Sequence, residues 1–409
     1  KAISPRGLGD STWAIVTART LTEQIMLPSE PGDIKPLEAI LRWEAGFNVT
    51  HFILEPGNIR HDITAQEKAS GIATITGLTS ETDYEATLYN NAKIRGTTSF
   101  KTGIDVGTNT LVLPTDDIFQ KIADAAPGDI LLFEQGDYTS QIGRITLNKS
   151  ITLRGLRRDF KPKLKVSFSI GTGANDVNLI DLDLTGDVPT ELFDVVRYSE
   201  TGNFNSLLIS GCVIHDYNRS FLAGNVSNAV IQTITVENSI LTNIITSGGD
   251  FIDFRTTNVL NINVNTSTFN NCAPERDFFR IDDSGSLLQT GATTNVTMDS
   301  CTLNACNLSS GRRVLYVRFV ANQIIVKNTL ISNSGGMYSN QSKTDDAIEF
   351  INNNYFNATG YFNSANPRYD NSGNYTELNP GYVNAAAGNF TITNQTLLDN
   401  AVGDPRWRQ

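Results

Sequence analysis

The chain has 409 residues, a formal net charge of −11, four cysteines and only 18% charged residues. That length exceeds what one ordinary core organises, and an acidic balance without a basic stripe excludes a nucleic-acid partner. No apolar run approaches the ~20 residues of a membrane span, and the cysteines are too few for a disulfide scaffold and lack zinc-ligand spacing.

Residues 1–27 read like the last strands of a module, comparable with residues 87–102, so they are expected to be the remnant of a preceding domain or an N-terminal extension. No export signal is read at Lys1, and one is expected to have been removed or to lie upstream. Residues 28–103 carry short alternating strands at 39–43, 49–54, 73–75, 84–89 and 97–100, separated by turn residues, which predicts a β-sandwich. Within it, Ile75-Thr76-Gly77-Leu78-Thr79-Ser80-Glu81-Thr82-Asp83-Tyr84 resembles the E–F corner of fibronectin type III modules. The resemblance implies Trp43 as the core tryptophan, Tyr84 as the corner tyrosine, and a spacer or adhesive unit without chemistry.

The texture changes in residues 104–409. Ile118, Ile122 and Ala125 stand at helical spacing with Asp116 as the expected N-cap, and strand phrases follow at 130–133 and 149–155. A short capping helix before such phrases resembles the entry to pectate-lyase-like β-helices. The repeat itself follows from register. Taking Leu179, Ile209, Val236, Val264, Met298, Val326 and Phe350 as zero gives steps of 24 to 34 residues, the span of one solenoid coil with variable loops. Two residues earlier stand Leu207, Ile234, Ile262, Val296, Ile324 and Ile348; five later stand Ile214, Leu241, Phe269, Leu303, Ile331 and Tyr355. These columns are expected to fill the interior, because alternate residues of a strand share one face. Seven residues after zero come Asp216, Asn243, Asn271, Ala305, Asn333 and Asn357, an expected asparagine ladder. Cys272 and Cys306 share offset +8 in adjacent coils, within reach of a disulfide, whereas Cys212 and Cys301 share offset +3 three coils apart. The closing segment from Asn379 to Trp407 resembles that of uncharacterised bacterial surface proteins coupling fibronectin-like modules to a β-helix, and is expected to cap the last coil. The predicted fold class is therefore all-β: a fibronectin type III-like sandwich, then a right-handed parallel β-helix with an N-terminal capping helix and a C-terminal cap.

Charge concentrates in a second strand of each coil, at 192–198, 249–255, 276–283 and 312–318. Stacking would bring Arg255, Arg280 and Arg318 to one line. The alternation places Asp253 on the face of Arg255, and Arg276 and Asp282 on that of Arg280, an outward face because charges are too costly for a dry interior. Arg313 and Tyr316 of the last segment are further candidate substrate contacts. Tyr198, with Phe204, Tyr217 and Tyr316, offers rings that stack on sugars or pack between coils. Arginine forks pair bidentately with sugar carboxylates, and carboxylates nearby accept sugar hydroxyls or hold calcium. Two functions follow. The first is a secreted or cell-surface binding protein facing an acidic, uronate-containing polysaccharide, without nucleic acid or membrane span and acting as a monomer. The second is a polysaccharide lyase cleaving such a glycan by β-elimination, with Arg255, Arg280 and Arg318 as candidate catalytic groups. The pectate-lyase-like resemblance extends to alginate and chondroitin lyases that pair a lysine base with an arginine, and no lysine lies in these segments. A ladder of Arg–Asp pairs between coils, purely structural, is the competing reading. His215 reads as a turn residue, and His51 and His61 have no visible partners.

Overall fold

Alternation decides the first sheets. In Glu38–Trp43 every second residue, Ala39, Leu41 and Trp43, is buried, the period of a half-solvated strand. The computed structural model describes residues 23–187, 192–282, 292–319 and 321–409, and the chain divides into two compact units, Lys1–Asp105 and Val106–Gln409.

In the first unit Glu38–Trp43 pairs antiparallel with Met26–Leu27 and with Ile72–Thr76. His51–Glu55 pairs antiparallel with Ile59–Asp62 and Asp83–Asn90, and the last of these with Lys93–Lys101. The inward residues of both sheets form one cluster, in which the Trp43 and Phe52 rings meet edge-on at 5.6 Å. Buried Tyr84 accepts a hydrogen bond at its Oη from the Thr79 N–H, 3.0 Å away. The short helix Ala65–Ser70 was not foreseen, although its signal is present: Thr64 and Glu67 form a reciprocal capping box. Ile25 is buried in this same core and Met26 pairs with Trp43. The residues just before Pro28 therefore pack in this unit. The strands expected within 1–22 lie outside the described residues.

In the second unit helix Ile118–Asp124 buries Ile118 and Ile122 in the core. Its N-cap is Asp117, which accepts from the Gln120 N–H at 3.0 Å. Asp116, expected in that role, instead accepts from the Leu113 N–H at 2.8 Å, and Ala125 falls just past the helix end.

The rest is a parallel β-solenoid. Ten strands, from Thr110–Val112 to Glu349–Ile351, make one parallel sheet. Leu179, Ile209, Val236, Val264, Met298, Val326 and Phe350 pair in series along it, and the register continues upstream through Leu153 and Leu131. Ile214, Leu241, Phe269, Leu303, Ile331 and Tyr355 likewise pair in series on a second face. Both columns are buried, and each such side chain contributes roughly 1.5–3 kcal/mol against leaving it in water. Lys163–Ile170 joins this second face to a third: its start pairs with Asp183–Thr185 and its end with Val196–Tyr198.

The chain turns at two fixed offsets. All six residues of the expected asparagine column are left-handed, with φ between 51° and 62°, a conformation asparagine tolerates. Asn243 Nδ2 donates to Asp216 Oδ1, Asn271 to Asn243 and Asn357 to Asn333, at 2.9–3.1 Å. Ala305 breaks the run, and Asn333 donates instead to Asn304 Oδ1 at 2.8 Å. A second left-handed column, two residues after zero, went unread: Asp181, Gly211, Asn238, Thr266, Ser300, Asn328 and Asn352.

The end of the solenoid corrects one expectation. Its last coil is closed by rings of Tyr338, Phe350, Tyr355, Tyr361, Phe362 and Tyr375, with Tyr355 donating to Asp370 at 2.7 Å. The closing segment instead runs back across several coils. Gly403 N–H donates to Asn328 O, Trp407 Nε1 to Thr268 Oγ1 and Arg406 Nη2 to Asn238 O, at 2.7–2.8 Å.

The pairing of Asn270 with Asn304 carries Cys272 opposite Cys306 in the next coil. All four cysteines are free and buried. Burial pushes their thiols up, those of Cys212 and Cys306 to about 12, so the nucleophilic thiolate is suppressed. Native protein at pH 8 is therefore expected to resist alkylation at all four, and denatured protein to take four labels by mass spectrometry. Labelling of Cys272 or Cys306 in the native state would contradict this packing.

Candidate functional site

The third face is built from strands of three residues: Val196–Tyr198, Leu222–Gly224, Ile252–Phe254, Phe279–Ile281 and Leu315–Val317. Their first and third residues point inward, leaving the middle one outward. Register stacks Arg197, Ala223, Asp253, Arg280 and Tyr316 in one outward column. Two residues on, the backbone ladder continues from Gly224 O to Arg255, from Phe254 O to Asp282 and from Ile281 O to Arg318. Arg255, Arg280 and Arg318 therefore do not share a line. Arg280 follows Asp253, and Asp282 stands between Arg255 and Arg318, so opposite charges alternate along each column.

The charges are paired accordingly. Arg255 grips Asp253 through Nε and Nη2 at 2.9 and 3.0 Å. Arg280 reaches Asp282 at 3.0 Å and Asp250 at 3.3 Å, while Arg318 Nε donates to Asp282 Oδ1 at 2.7 Å. Arg313 forks onto Asp277 at 2.9 and 2.7 Å. Asp194, Asp250 and Asp277, two residues before their strands, each accept a backbone N–H from the next coil. Sequence reasoning passed over these three, although the recurring Asp-apolar-apolar phrase was readable. Burial, then the negative charges of Asp253 and Asp277, push the Asp250 carboxyl up. The hydrogen bonds that Arg255 donates to Asp253 hold it above its ordinary value, and Arg280 is raised too: burial lowers it, but Asp282 and Asp250 outweigh burial.

Exposure is layered. The side chains of Arg255, Arg280, Arg313 and Arg318 keep 17–38% of their surface, those of Asp250, Asp253, Asp277 and Asp282 only 4–9%. Carboxylates lie beneath, guanidinia above. Tyr316 sits among three of the guanidinia, its ring centre 5.0, 4.3 and 5.1 Å from those of Arg280, Arg313 and Arg318. Two expected site residues are not in this layer. Tyr198 is buried against Phe204 at 4.9 Å, because it is the third, inward residue of its strand. Arg276 lies in the bend before Phe279–Ile281, outside the strand alternation that would have set it beside Arg280. Phe204 and Tyr217 are also core residues. Among the described residues no group of three or more His, Cys, Asp or Glu side chains is arranged to hold a metal ion.

His215 lies on the other outward face as a clamp between coils. Its Nε2 meets Asp183 Oδ1 at 3.0 Å and its Nδ1 meets Asp216 Oδ2 at 2.6 Å, and the Asp183 hydrogen bond raises its pKa. A raised folded value means that this clamp stabilises fully below the unfolded histidine pKa of about 6.5 and fades as pH rises through the folded value. The melting-temperature gap between wild type and His215→Gln should accordingly be widest near pH ~5.5 and close in alkali. A gap independent of pH would show that the imidazole is not charged.

Two families of domains of unknown function match the chain: DUF4957 over residues 136–272 and DUF5123 over residues 296–407. No curated protein matches it. Among solved structures it is similar to a PL6 family alginate lyase, at 13% identity and a TM-score of 0.31, over 82% of this chain and 48% of that one. A PL6 alginate lyase in complex with a trisaccharide matches at 14% identity and 0.33, over 70% of this chain and 67% of that one. The family 28 exopolygalacturonase of Yersinia enterocolitica matches at 12% and 0.26, over 82% and 92%. The chain spans about half the length of the first of these lyases.

Proposed function

We infer that this is a secreted or cell-surface bacterial protein whose solenoid binds an acidic, uronate-containing polysaccharide on its third face without cleaving it. The observation that carries the reading is the layering: buried carboxylates hold guanidinium forks in place, and the forks present their free edges to solvent on a protein of net charge −11. Forks fixed in this way match sugar carboxylates at little further entropic cost. Tyr316 adds a ring among them. In the first unit the Tyr84–Thr79 bond and the two facing sheets support a fibronectin type III-like spacer, and helix Ile118–Asp124 supports a cap over the first coils.

Cleavage by β-elimination is the second reading, and it needs a neutral base at C5. Carboxylate partners raise the proton affinity of Arg255 and Arg280, which favours charge neutralisation over proton abstraction. A panel of polyuronates, glycosaminoglycans and neutral glycans separates the readings, with binding measured beside absorbance near ~235 nm, where the unsaturated product of elimination absorbs. Salt-sensitive binding of acidic polymers without new absorbance is the expected result; growing absorbance would establish the lyase. Arg280→Ala should weaken that binding about tenfold or more, the worth of a charge-assisted hydrogen bond. Normal affinity with a large loss of stability would leave the stripe a structural ladder.

A further inference from the structure

Between Arg197 and Asp253 the outward column carries an alanine, Ala223. In the same stretch of the face lies a depression of about 180 Å³, lined by Arg197, Arg219, Arg255, Asn225, Gly248 and Asp253. Three guanidinia and one carboxylate line it, with Asp194 beneath Arg197 and Arg219.

The arginines are only partly satisfied. Arg197 Nε donates to Asp194 at 2.7 Å, and among the described residues its two Nη groups have no hydrogen-bond partner. Arg255 spends Nε and Nη2 on Asp253 and leaves Nη1. Arg219 is the least engaged: its Nη2 reaches Gly248 O at 3.3 Å, its Nε stands 4.0 Å from Asp194, and that buried Nε has no hydrogen-bond partner. A buried donor left unmade costs free energy unless something fills the place. Beside it the Phe193 ring, exposed to solvent, lies 6.0 Å from the Arg219 guanidinium.

We propose that this depression is an acid-group subsite, in which Arg197, Arg219 and Arg255 together take one carboxylate or sulfate of a glycan whose ring rests toward Phe193. The proposal rests on the polysaccharide-binding reading above and adds its substrate class. Tyr316, with its own ring of guanidinia, stands three coils further along the same column, about 14 Å at the ~4.8 Å spacing of strands. One pyranose is about as long as one coil is high. A chain lying along the solenoid axis therefore reaches both centres only if it is several sugars long and acidic at more than one of them.

The test is calorimetric titration of the full chain with acidic mono- to hexasaccharides: oligouronates in one arm, sulfated oligosaccharides in a second, neutral ones of equal length in a third. Affinity for an acidic series should climb steeply up to about the tetramer, as the second centre is engaged, and neutral chains should not bind. Whichever acidic series wins identifies carboxylate or sulfate as the group held. Arg219→Gln should weaken the winning series about tenfold with the melting temperature unchanged, since Arg219 makes no close ion pair. Ala223→Ser, which fills little, should bind as wild type does, whereas Asn225→Arg should tighten binding. If Arg280→Ala weakens binding and Arg219→Gln does not, the subsite is wrong and the binding face stands. If no acidic glycan binds wild type, both fall.

Discussion

Replacing Phe278 with alanine should cost the solenoid about 3–5 kcal/mol, the range for emptying a buried aromatic site. Phe278 is fully buried, and its ring lies 4.5 Å from Phe251, 5.1 Å from Phe269 and 5.2 Å from Phe279. Phe251 in turn stacks on Phe221 of the preceding coil at 5.3 Å. Within the interior stack each coil packs mainly on its neighbours, so a gap here weakens the middle of the stack. Denaturant unfolding followed by circular dichroism measures the loss. Ile142→Ala, at a site 52% exposed, should shift stability by no more than about 0.5 kcal/mol. Equal effects at the two positions would contradict the interior stack.

Asp282→Ala should be the most damaging change in the charged layer, at roughly 3 kcal/mol. Its carboxylate is almost wholly buried and holds both Arg280 and Arg318, so removal leaves two forks without their main partner. The upper end of the usual range is not expected, because Arg318 keeps a third of its surface in solvent and Arg280 retains Asp250. Affinity for an acidic glycan should fall as well, since the freed guanidinia must be ordered again on binding. Asp282→Asn, of the same shape but neutral, should lie between alanine and wild type in both measurements. A glycan affinity unchanged by Asp282→Ala would mean that the forks need no anchoring.

Interior columns were legible in the sequence to the residue, and the charged layer was not, for one physical reason. The strands of the ten-stranded sheet are followed by tight left-handed turns at fixed offsets, so counting forward from Val236 or Val264 lands correctly on Leu241 and Phe269. Counting backward crosses the variable loops. The stretch from Arg280 to Met298 is much longer than that from Asp253 to Val264, and the offset between the two strands is lost there. Arg255 was consequently set level with Arg280 when it pairs in register with Asp282. The same uncertainty hid Ala223, whose small side chain carries no signal until its neighbours in the column are known. Tyr198 and Phe204 could not be told from surface rings by type alone; their inward position depends on where a three-residue strand begins. The left-handed column at Asn238, Thr266 and Ser300 was passed over because its residues vary, although the backbone conformation they share does not.

The central claim is that the third face meets the glycan, and backbone hydrogen exchange of the full chain with and without an acidic oligosaccharide tests it most directly. Protection should be confined to peptides covering 192–198, 219–225, 250–255, 277–282 and 313–318, the strands that carry the forks and their carboxylates, and Arg280→Ala should require about tenfold more glycan to reach it. Protection over the ten-stranded sheet or the 379–409 segment, with those five peptides unchanged while binding persists, would place the glycan elsewhere and contradict the account.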